Sequence, residues 1–186
     1  MSYNTPLTSA TEFGIMKPGS GLTALNGVVS LTSTGFGDYG FVNSSTTQTN
    51  PVANGINIIT FDTLGPNNGV SIGGGGNNIT VARAGIYTQI FTIITTKTSG
   101  GTATLSIWLR KNGIDVLGSS QELQLTNTLS IVFLSGNYTL SLAAGDNIQM
   151  CWSSPDITTG FTPLLAQVGP IRPTGYAVKV TVTRIG

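Results

Sequence analysis

Residues that could perform acid–base or nucleophilic chemistry are few in this sequence. It contains no histidine, which excludes Ser-His-Asp and Cys-His nucleophilic systems, histidine-ligated zinc and the commonest general base near neutral pH. A hydrolase with a pair of carboxylates remains an alternative. The carboxylates considered for it are Asp38, Asp62, Asp115, Glu122, Asp146 and Asp156. Nearly all fall in predicted turns, where Asp is favoured for local hydrogen bonding, so we expect no catalytic site.

Cofactor and metal sites are not expected either. Four glycines at 73–76 could suggest a phosphate-binding loop, but such a loop needs a closing Lys-Ser/Thr and a helix behind it, whereas Asn77-Asn78 leads into a predicted strand. A calcium site would need clustered oxygen ligands, and no DxD spacing occurs. Cys151 is the only cysteine, so no intrachain disulfide can form, and its strand-like surroundings predict a buried small hydrophobe.

Composition limits the partners this chain could have. Charged residues make up 8% of the sequence and the formal net charge is +1, which provides no basic surface for DNA, RNA or anionic lipid. Residues 1–16 do not read as a signal peptide, and no apolar run approaches the roughly 20 residues that span a bilayer. We therefore expect no nucleic-acid or membrane partner and a chain made in the cytoplasm. An uncharged polar surface is typical of chains that pack into an assembly.

The stretch from Asn78 to Gly113 predicts two strands. Residues 79–96 are rich in β-branched and aromatic side chains, which favour extended backbone. The next strand, 103–110, places Leu105, Ile107 and Leu109 on one face, because successive strand side chains point to opposite faces. Asn112-Gly113 then supplies a tight hairpin turn.

Further strands follow the same logic. Ile148, Met150 and Trp152 share one face of a predicted strand at 147–152, and Val178, Val180 and Val182 alternate with polar residues in the last strand. The remaining predicted strands are 56–61, 119–125, 129–134, 138–142 and 164–168, and residues 62–78 and 153–173 read as long loops. Eight or more short strands without helical periodicity predict an all-β antiparallel sandwich or jelly roll for residues 51–186.

Residues 1–50 differ from the rest and predict an extended arm. Gly, Ser, Thr and Asn dominate, and the glycine-aromatic cluster at 36–41 is typical of loops. Within the arm, GxGLxxxNGVxSL (19–31) predicts a short hairpin that needs a neighbour to bury against. The pattern resembles the repeat of trimeric viral fibre shafts, with an ordinary edge hairpin as the alternative. The candidate attachment residues are Leu22, Leu25, Val28, Val29 and Leu31.

The head resembles a known family of trimeric jelly rolls, the globular heads of complement C1q and tumour necrosis factor. The resemblance is carried by INIITF (56–61), ITVARAGIYTQIFTI (79–93), LSIWLRKNGIDV (105–116), LSLAAGDNIQM (140–150) and VKVTVTRIG (178–186). It implies a C1q/TNF-like fold and a homotrimer whose inner sheets bury apolar side chains along a three-fold axis. A collagen-like stalk is missing, which argues against a complement-like or cytokine role.

The combination of arm, head and composition resembles structural proteins of bacteriophages and large DNA viruses. It implies a non-enzymatic virion protein, such as a capsid decoration protein, a minor capsid protein or a fibre head, whose arm binds capsid or other virion proteins. The alternatives are a tail-fibre or spike tip that binds a host-surface glycan through loops 62–78 and 153–173, and a β-sandwich carbohydrate-active enzyme. The aromatics expected in the core or the trimer interface are Tyr87, Phe91, Trp108, Phe133 and Trp152.

Overall fold

The computed structural model describes residues 37–126 and 131–186, together with the backbone of 22–25 and 28–31. The chain divides into two compact units, Met1–Phe36 and Gly37–Gly186. In the first unit, β1 and β2 pair antiparallel, with Leu22 opposite Leu31 and Leu25 opposite Val28. This confirms the predicted hairpin; its Asn26-Gly27 turn lies outside the described residues.

The described chain is all-β. Its strands are β1 (Leu22–Leu25), β2 (Val28–Leu31), β3 (Tyr39–Ser44), β4 (Gln48–Thr49), β5 (Asn57–Ile58), β6 (Thr63–Asn68), β7 (Val70–Gly73), β8 (Asn78–Val81), β9 (Gly85–Lys97), β10 (Ala103–Lys111), β11 (Ile114–Asp115), β12 (Gln121–Leu125), β13 (Ile131–Leu142), β14 (Asn147–Ser153), β15 (Thr159–Phe161), β16 (Gln167–Val168), β17 (Ile171–Arg172) and β18 (Val178–Arg184). A single 3₁₀ turn, Gly74–Gly76, joins β7 to β8. Within the described ranges, no helix has the length and apolar character of a membrane span.

Two seven-stranded antiparallel sheets form most of the described second unit, and β16 and β17 pair as a separate two-stranded sheet. Sheet I has the order β4-β15-β9-β18-β3-β6, with β13 also paired to β9. Sheet II has the order β11-β10-β14-β8-β7, with β12 on β10 and β5 on β14. Most neighbours are distant in sequence: β18, the last strand, lies between β9 and β3. This two-sheet antiparallel arrangement with crossing connections is a jelly roll, so the predicted fold class is confirmed.

The core lies between the two sheets. Sheet I contributes alternate residues of β9 and β18, and sheet II contributes alternate residues of β10 and β14, because the strand period of two sends every second side chain inward. The principal members are Val42, Ile79, Val81, Tyr87, Phe91, Ile93, Leu105, Ile107, Leu109, Ile148, Met150, Trp152, Phe161, Val178, Val180 and Val182, all 3% exposed or less. The single-face patterns predicted for β10, β14 and β18 are therefore confirmed.

The predicted turn at Asn112-Gly113 is also confirmed. Both residues have positive φ, 50° and 81°, as the commonest two-residue hairpin turns require. Asn112 also connects this turn to the one before β14, because its Nδ2 donates to Asp146 Oδ1 at 2.7 Å and its Oδ1 accepts from the backbone N–H of Asn147 at 2.9 Å. The two turns at this end of sheet II are thus fixed to each other.

Several predicted strand limits are wrong. Residues 79–96 are not one strand, since β8 belongs to sheet II and β9 to sheet I, with the break at 82–84. Residues 62–78, predicted as a loop, form β6, β7 and the start of β8. Their Gly and Asn content hid these strands: β6 is held by pairing with β3, and β7 pairs with β8 across the turn at 74–77. The predicted strands at 129–134 and 138–142 are one strand, β13, which runs through Gly136; residues 127–130 lie outside the described part.

The head begins earlier in the chain than the predicted boundary at 50/51. Residues 39–44, expected in a loop of the arm, form β3, which pairs with β18 from Val178 opposite Ser44 to Thr183 opposite Tyr39. Gln48–Thr49 pairs with β15 in the same sheet. Residues 37–50 therefore belong to the jelly-roll unit, and the first unit ends at Phe36.

Candidate functional site

The carboxylates considered for catalysis lie in separate places, each with its own partner. Asp62 accepts hydrogen bonds from Ser45 and Thr63, and Glu122 accepts one from Ser106 Oγ at 3.3 Å. Asp115 accepts from Arg110 Nε and from Trp108 Nε1, and these two bonds lower the pKa of its carboxyl. Within residues 37–126 and 131–186, no three His, Cys, Asp or Glu side chains come together in a way that could hold a metal ion.

Asp38 is fully buried and contacts the turn between β8 and β9 as well as β9 itself. It pairs with Arg83 and accepts a hydrogen bond from Tyr87 Oη at 2.7 Å. The same hydroxyl lies 2.8 Å from the backbone oxygen of Arg83. Burial, followed by the hydrogen bond to Asp38, raises the pKa of Tyr87 to about 12. The cluster therefore connects the segment before β3 to the start of β9.

Lys97, at the end of β9, is a fully buried cation. Its ammonium pairs with Asp156 and donates to Gly100 O at 3.1 Å and to Thr158 Oγ1 at 3.2 Å. Asp156 is one-quarter exposed and also accepts from the backbone N–H and hydroxyl of Thr158. The contact with Lys97 and the Thr158 bonds lower the pKa of Asp156 to about 2. These groups fix the turn before β15 to the end of β9.

The five predicted aromatics are distributed between core and surface. Tyr87, Phe91 and Trp152 are in the core, each 1% exposed. Trp152 packs on Phe161 with ring centroids 4.5 Å apart. Phe133 points outward from β13 and is 58% exposed. Trp108 is half-buried on the outer face of sheet II, opposite Cys151. Cys151 itself is buried, and this burial raises the pKa of its thiol.

The outer face of sheet I carries a set of exposed large apolar residues. Strand register places Phe41 (β3), Thr181 (β18) and Ile90 (β9) in one row across the sheet. We call this surface the apolar face and define it by Phe41 (43% exposed), Ile86 (38%), Ile90 (52%), Ile131 (48%) and Phe133 (58%). Single exposed apolar residues are ordinary, but a group on one sheet face is typical of an interaction surface.

The apolar face is almost free of charge. The outward positions between its members are Thr88, Thr92, Ser135, Asn137, Thr139, Ser141, Thr181 and Thr183, with Lys179 as the charged exception. Some of these hydroxyls bond to each other, as Thr88 and Thr139 do at 3.2 Å. Depletion of charge together with aromatic and aliphatic side chains is the composition found at the centres of protein interfaces.

A second surface feature is an open cleft beside the segment that crosses from sheet I to sheet II. This segment begins at β4, which pairs with β15 in sheet I, and reaches β5, which pairs with β14 in sheet II. The cleft has a volume of about 530 Å³ and is lined by Thr47, Gln48, Thr49, Pro51, Ile56, Asn57, Ile58, Thr60, Asn77 and Trp152. We call it the crossover cleft.

Buried amide side chains hold the walls of the crossover cleft in place. Gln48 donates through Nε2 to Thr60 O at 2.9 Å and accepts through Oε1 from the Thr60 N–H at 3.1 Å. Asn50 donates to the backbone oxygens of Ser154 and Asp156, at 2.9 and 3.1 Å. Asn57 in turn donates to Asn50 Oδ1 at 2.9 Å. The backbone on both sides of the cleft is therefore positioned by side-chain hydrogen bonds.

Comparison with known proteins gives structural likeness without sequence relatives. No protein-family model matches the sequence, and no curated protein does either. Among solved structures, the globular domain of zebrafish complement 1qA protein is similar with 16% identity and a TM-score of 0.49, over 81% of this chain and 98% of that one. A crystal structure of murine APRIL is similar with 8% identity and a TM-score of 0.48, over 80% and 98%.

Sequence reasoning did not find Phe41, Ile86 and Ile90, nor the crossover cleft. A signal for Ile86 and Ile90 was available: β9 is apolar on both faces, which indicates that both faces can be covered. The cleft had no such signal, because its lining combines 47–60 with Asn77 and Trp152. The loops expected to bind a glycan, 62–78 and 153–173, contribute only Asn77 to it.

Proposed function

We propose that this chain is a non-catalytic, homotrimeric structural protein of a virus, carried on the virion surface as a capsid decoration protein, minor capsid protein or fibre head. The observation that carries the trimer is the apolar face. Covering Phe41, Ile90 and Phe133 with symmetry-related copies would remove them from water, at about 25 cal/mol per Å² of apolar surface. The resemblance of the sequence to trimeric jelly-roll heads supports three copies.

The virion role has different support. The described part of the first unit is a two-stranded hairpin, and an isolated hairpin of this size is at best marginally stable in water, so it needs a surface to pack on. The low charge of the whole chain suits a component embedded in an assembly. In this proposal the first unit attaches the protein to capsid or neighbouring virion proteins, and the jelly roll projects outward.

The trimer is tested by the mass of the purified chain in solution. Size-exclusion chromatography with light scattering should give three times the 19.2 kDa chain mass at micromolar concentration. Ile90→Asp places a charge at the centre of the apolar face and should yield a folded monomer. The matched control is Ile114→Asp, because Ile114 is 75% exposed on β11 in sheet II, away from the apolar face. This variant should remain trimeric. A monomeric or dimeric parent chain would contradict the proposal.

Attachment is tested by removing the first unit alone. Deleting residues 1–36 keeps β3 and β4, which belong to sheet I, and should leave a folded trimeric head. This head should no longer incorporate into virus particles. Incorporation at the level of the full chain would refute the attachment role while leaving the trimer unaffected.

A further inference from the structure

A two-stranded hairpin extends into solvent between β15 and β18. We call it the projecting hairpin and define it as residues 164–175, closed at the base by paired backbone groups of Leu164 and Gly175, with N–O distances of 3.1 and 2.8 Å. Residues 165–174 are all exposed, so the rest of the described chain covers neither of its faces. A hairpin of two strands is at best marginally stable alone in water, which indicates that a partner covers part of it.

The two sides of the projecting hairpin differ in polarity. Val168 lies opposite Ile171, and Gln167 lies opposite Arg172. Cross-strand partners share a side and successive residues point to opposite sides, so Val168 and Ile171 form an apolar side and Gln167 and Arg172 a polar one. Val168 is 91% exposed and Ile171 is 88% exposed. Arg172, the only charged residue of the hairpin, donates through Nε to the backbone oxygen of Leu165 at 3.3 Å. One side therefore suits burial and the other suits water.

The projecting hairpin is attached next to the apolar face. The backbone N–H of Thr162 donates to the oxygen of Ile94 at 3.2 Å, and the N–H of Ile94 donates to the oxygen of Ala177 at 2.8 Å. On the other side of β9, Ile94 lies opposite Phe133, which belongs to the apolar face. Both arms of the hairpin are thus bonded to the strand that neighbours Phe133.

A three-fold ring requires two different surfaces on each copy. In a head-to-tail ring one surface of a copy meets another surface of the next copy, whereas a surface that meets itself gives a two-fold dimer. The apolar face therefore needs a complementary apolar surface elsewhere on the same chain. Exposed apolar residues at other places fit less well, because Ile114 lies beside the Arg110–Asp115 ion pair and Ile157 follows Asp156. Charged residues are depleted at the centres of interfaces.

We propose that the projecting hairpin of each copy docks on the apolar face of the next copy and closes the trimer as a ring. Val168 and Ile171 pack on the aliphatic and aromatic side chains of the neighbour, while Gln167 and Arg172 stay in water. The nearly uncharged hairpin brings no unpaired charge into a contact with a nearly uncharged face. This inference rests on the proposed trimer and names the two surfaces that form its interface.

The first experiment compares two variants of the hairpin in the full chain. Val168→Asp puts a charge on the apolar side, and the matched control Gln167→Asp puts the same charge on the polar side one residue away. Both positions are exposed, so the fold of the single chain should not change, which circular dichroism checks. The concentration at which half of the trimer dissociates, measured by light scattering on dilution, should rise at least about tenfold in Val168→Asp and less than about twofold in the control.

Cysteine pairs test which surfaces meet. Val168→Cys is combined in one chain with Ile90→Cys or with Phe133→Cys, and the native Cys151 is buried. At least one combination should give covalent trimers under mild oxidation, with mass spectrometry showing position 168 joined to the apolar face of another copy. Gln167→Cys in place of Val168→Cys should give no such linkage.

The outcomes separate the hairpin contact from the trimer itself. If the parent chain is a trimer that Ile90→Asp breaks, but Val168→Asp dissociates no more readily than Gln167→Asp, the hairpin contact is wrong and the trimer stands. The contact is also overturned if position 168 is joined to the apolar face only within one chain or not at all. A parent chain that is not trimeric overturns both proposals.

Discussion

The buried ion pair between Lys97 and Asp156 should respond very differently to removal of its two partners. Asp156→Asn keeps the acceptor for Thr158 and removes the charge, which leaves a fully buried ammonium without a counterion. Removing one partner of a buried pair costs about 3 to 5 kcal/mol. Because Asp156 is one-quarter exposed, we expect the lower end, a loss of about 3 kcal/mol in the free energy of unfolding.

The opposite substitution should be milder. Lys97→Met fills the buried space with an apolar chain, and the remaining carboxylate can still reach water and keep its bonds to Thr158. We expect a loss of about 1 kcal/mol. The double variant should be close to Lys97→Met alone, since no unpaired cation remains, which gives a coupling energy of about 3 kcal/mol in the double-mutant cycle.

Urea unfolding at one fixed protein concentration measures these differences, because the stability of an oligomer depends on concentration. The control is Lys111→Met, whose partner is Asp146: Lys111 is 37% exposed, so its loss should cost only a small fraction of the Asp156→Asn effect. If Asp156→Asn and Lys97→Met cost the same small amount, the ammonium is hydrated in solution and the reasoning is refuted.

Three further predictions concern other buried polar groups and pH. Gln89 is 1% exposed and its amide has no partner among the described residues, so Gln89→Met should raise the free energy of unfolding by about 1 kcal/mol. The matched Gln48→Met should lower the free energy of unfolding by about 2 kcal/mol, because it leaves the Thr60 backbone unpaired. A loss of stability in both variants, measured by urea unfolding, would contradict this. The pKa of Asp156 is about 2 in the folded chain and 3.8 ordinarily, so its stabilising contribution is complete above pH 4 and should disappear as pH falls from about 4 to 2. Asp156→Asn should therefore flatten the dependence of the free energy of unfolding on pH in this range. An unchanged dependence would count against this prediction. The pKa of Tyr87 is raised from 10.0 to about 12, so the free energy of unfolding should fall as pH rises through that interval. In Tyr87→Phe this fall should be less steep, and the lost hydrogen bond to Asp38 should cost about 2 kcal/mol at neutral pH. Calorimetry at stepped pH measures both effects.

Strands whose side chains alternate strictly were predictable, and strands that depend on distant partners were not. Val178, Val180 and Val182 marked β18 because a one-sided pattern is a local property of the chain. β3 was misassigned to a loop because its glycine and aromatic residues carry no such pattern, and its extended form is fixed by β18 and β6 on either side. β6 was missed for the same reason, since its partner is β3, whereas β7 pairs with the adjacent β8 and was missed because the glycines at 73–76 read as a loop.

The sequence by itself determined the all-β class, the core faces of β10, β14 and β18, and the turn at Asn112-Gly113, since each depends on the order of neighbouring residues. Only the tertiary structure decided that Phe41, Ile90 and Phe133 share one exposed surface, because three strands far apart in the chain must first pair in register. The same holds for the crossover cleft, because its lining brings together Thr60, Asn77 and Trp152 from elements that no local pattern places side by side.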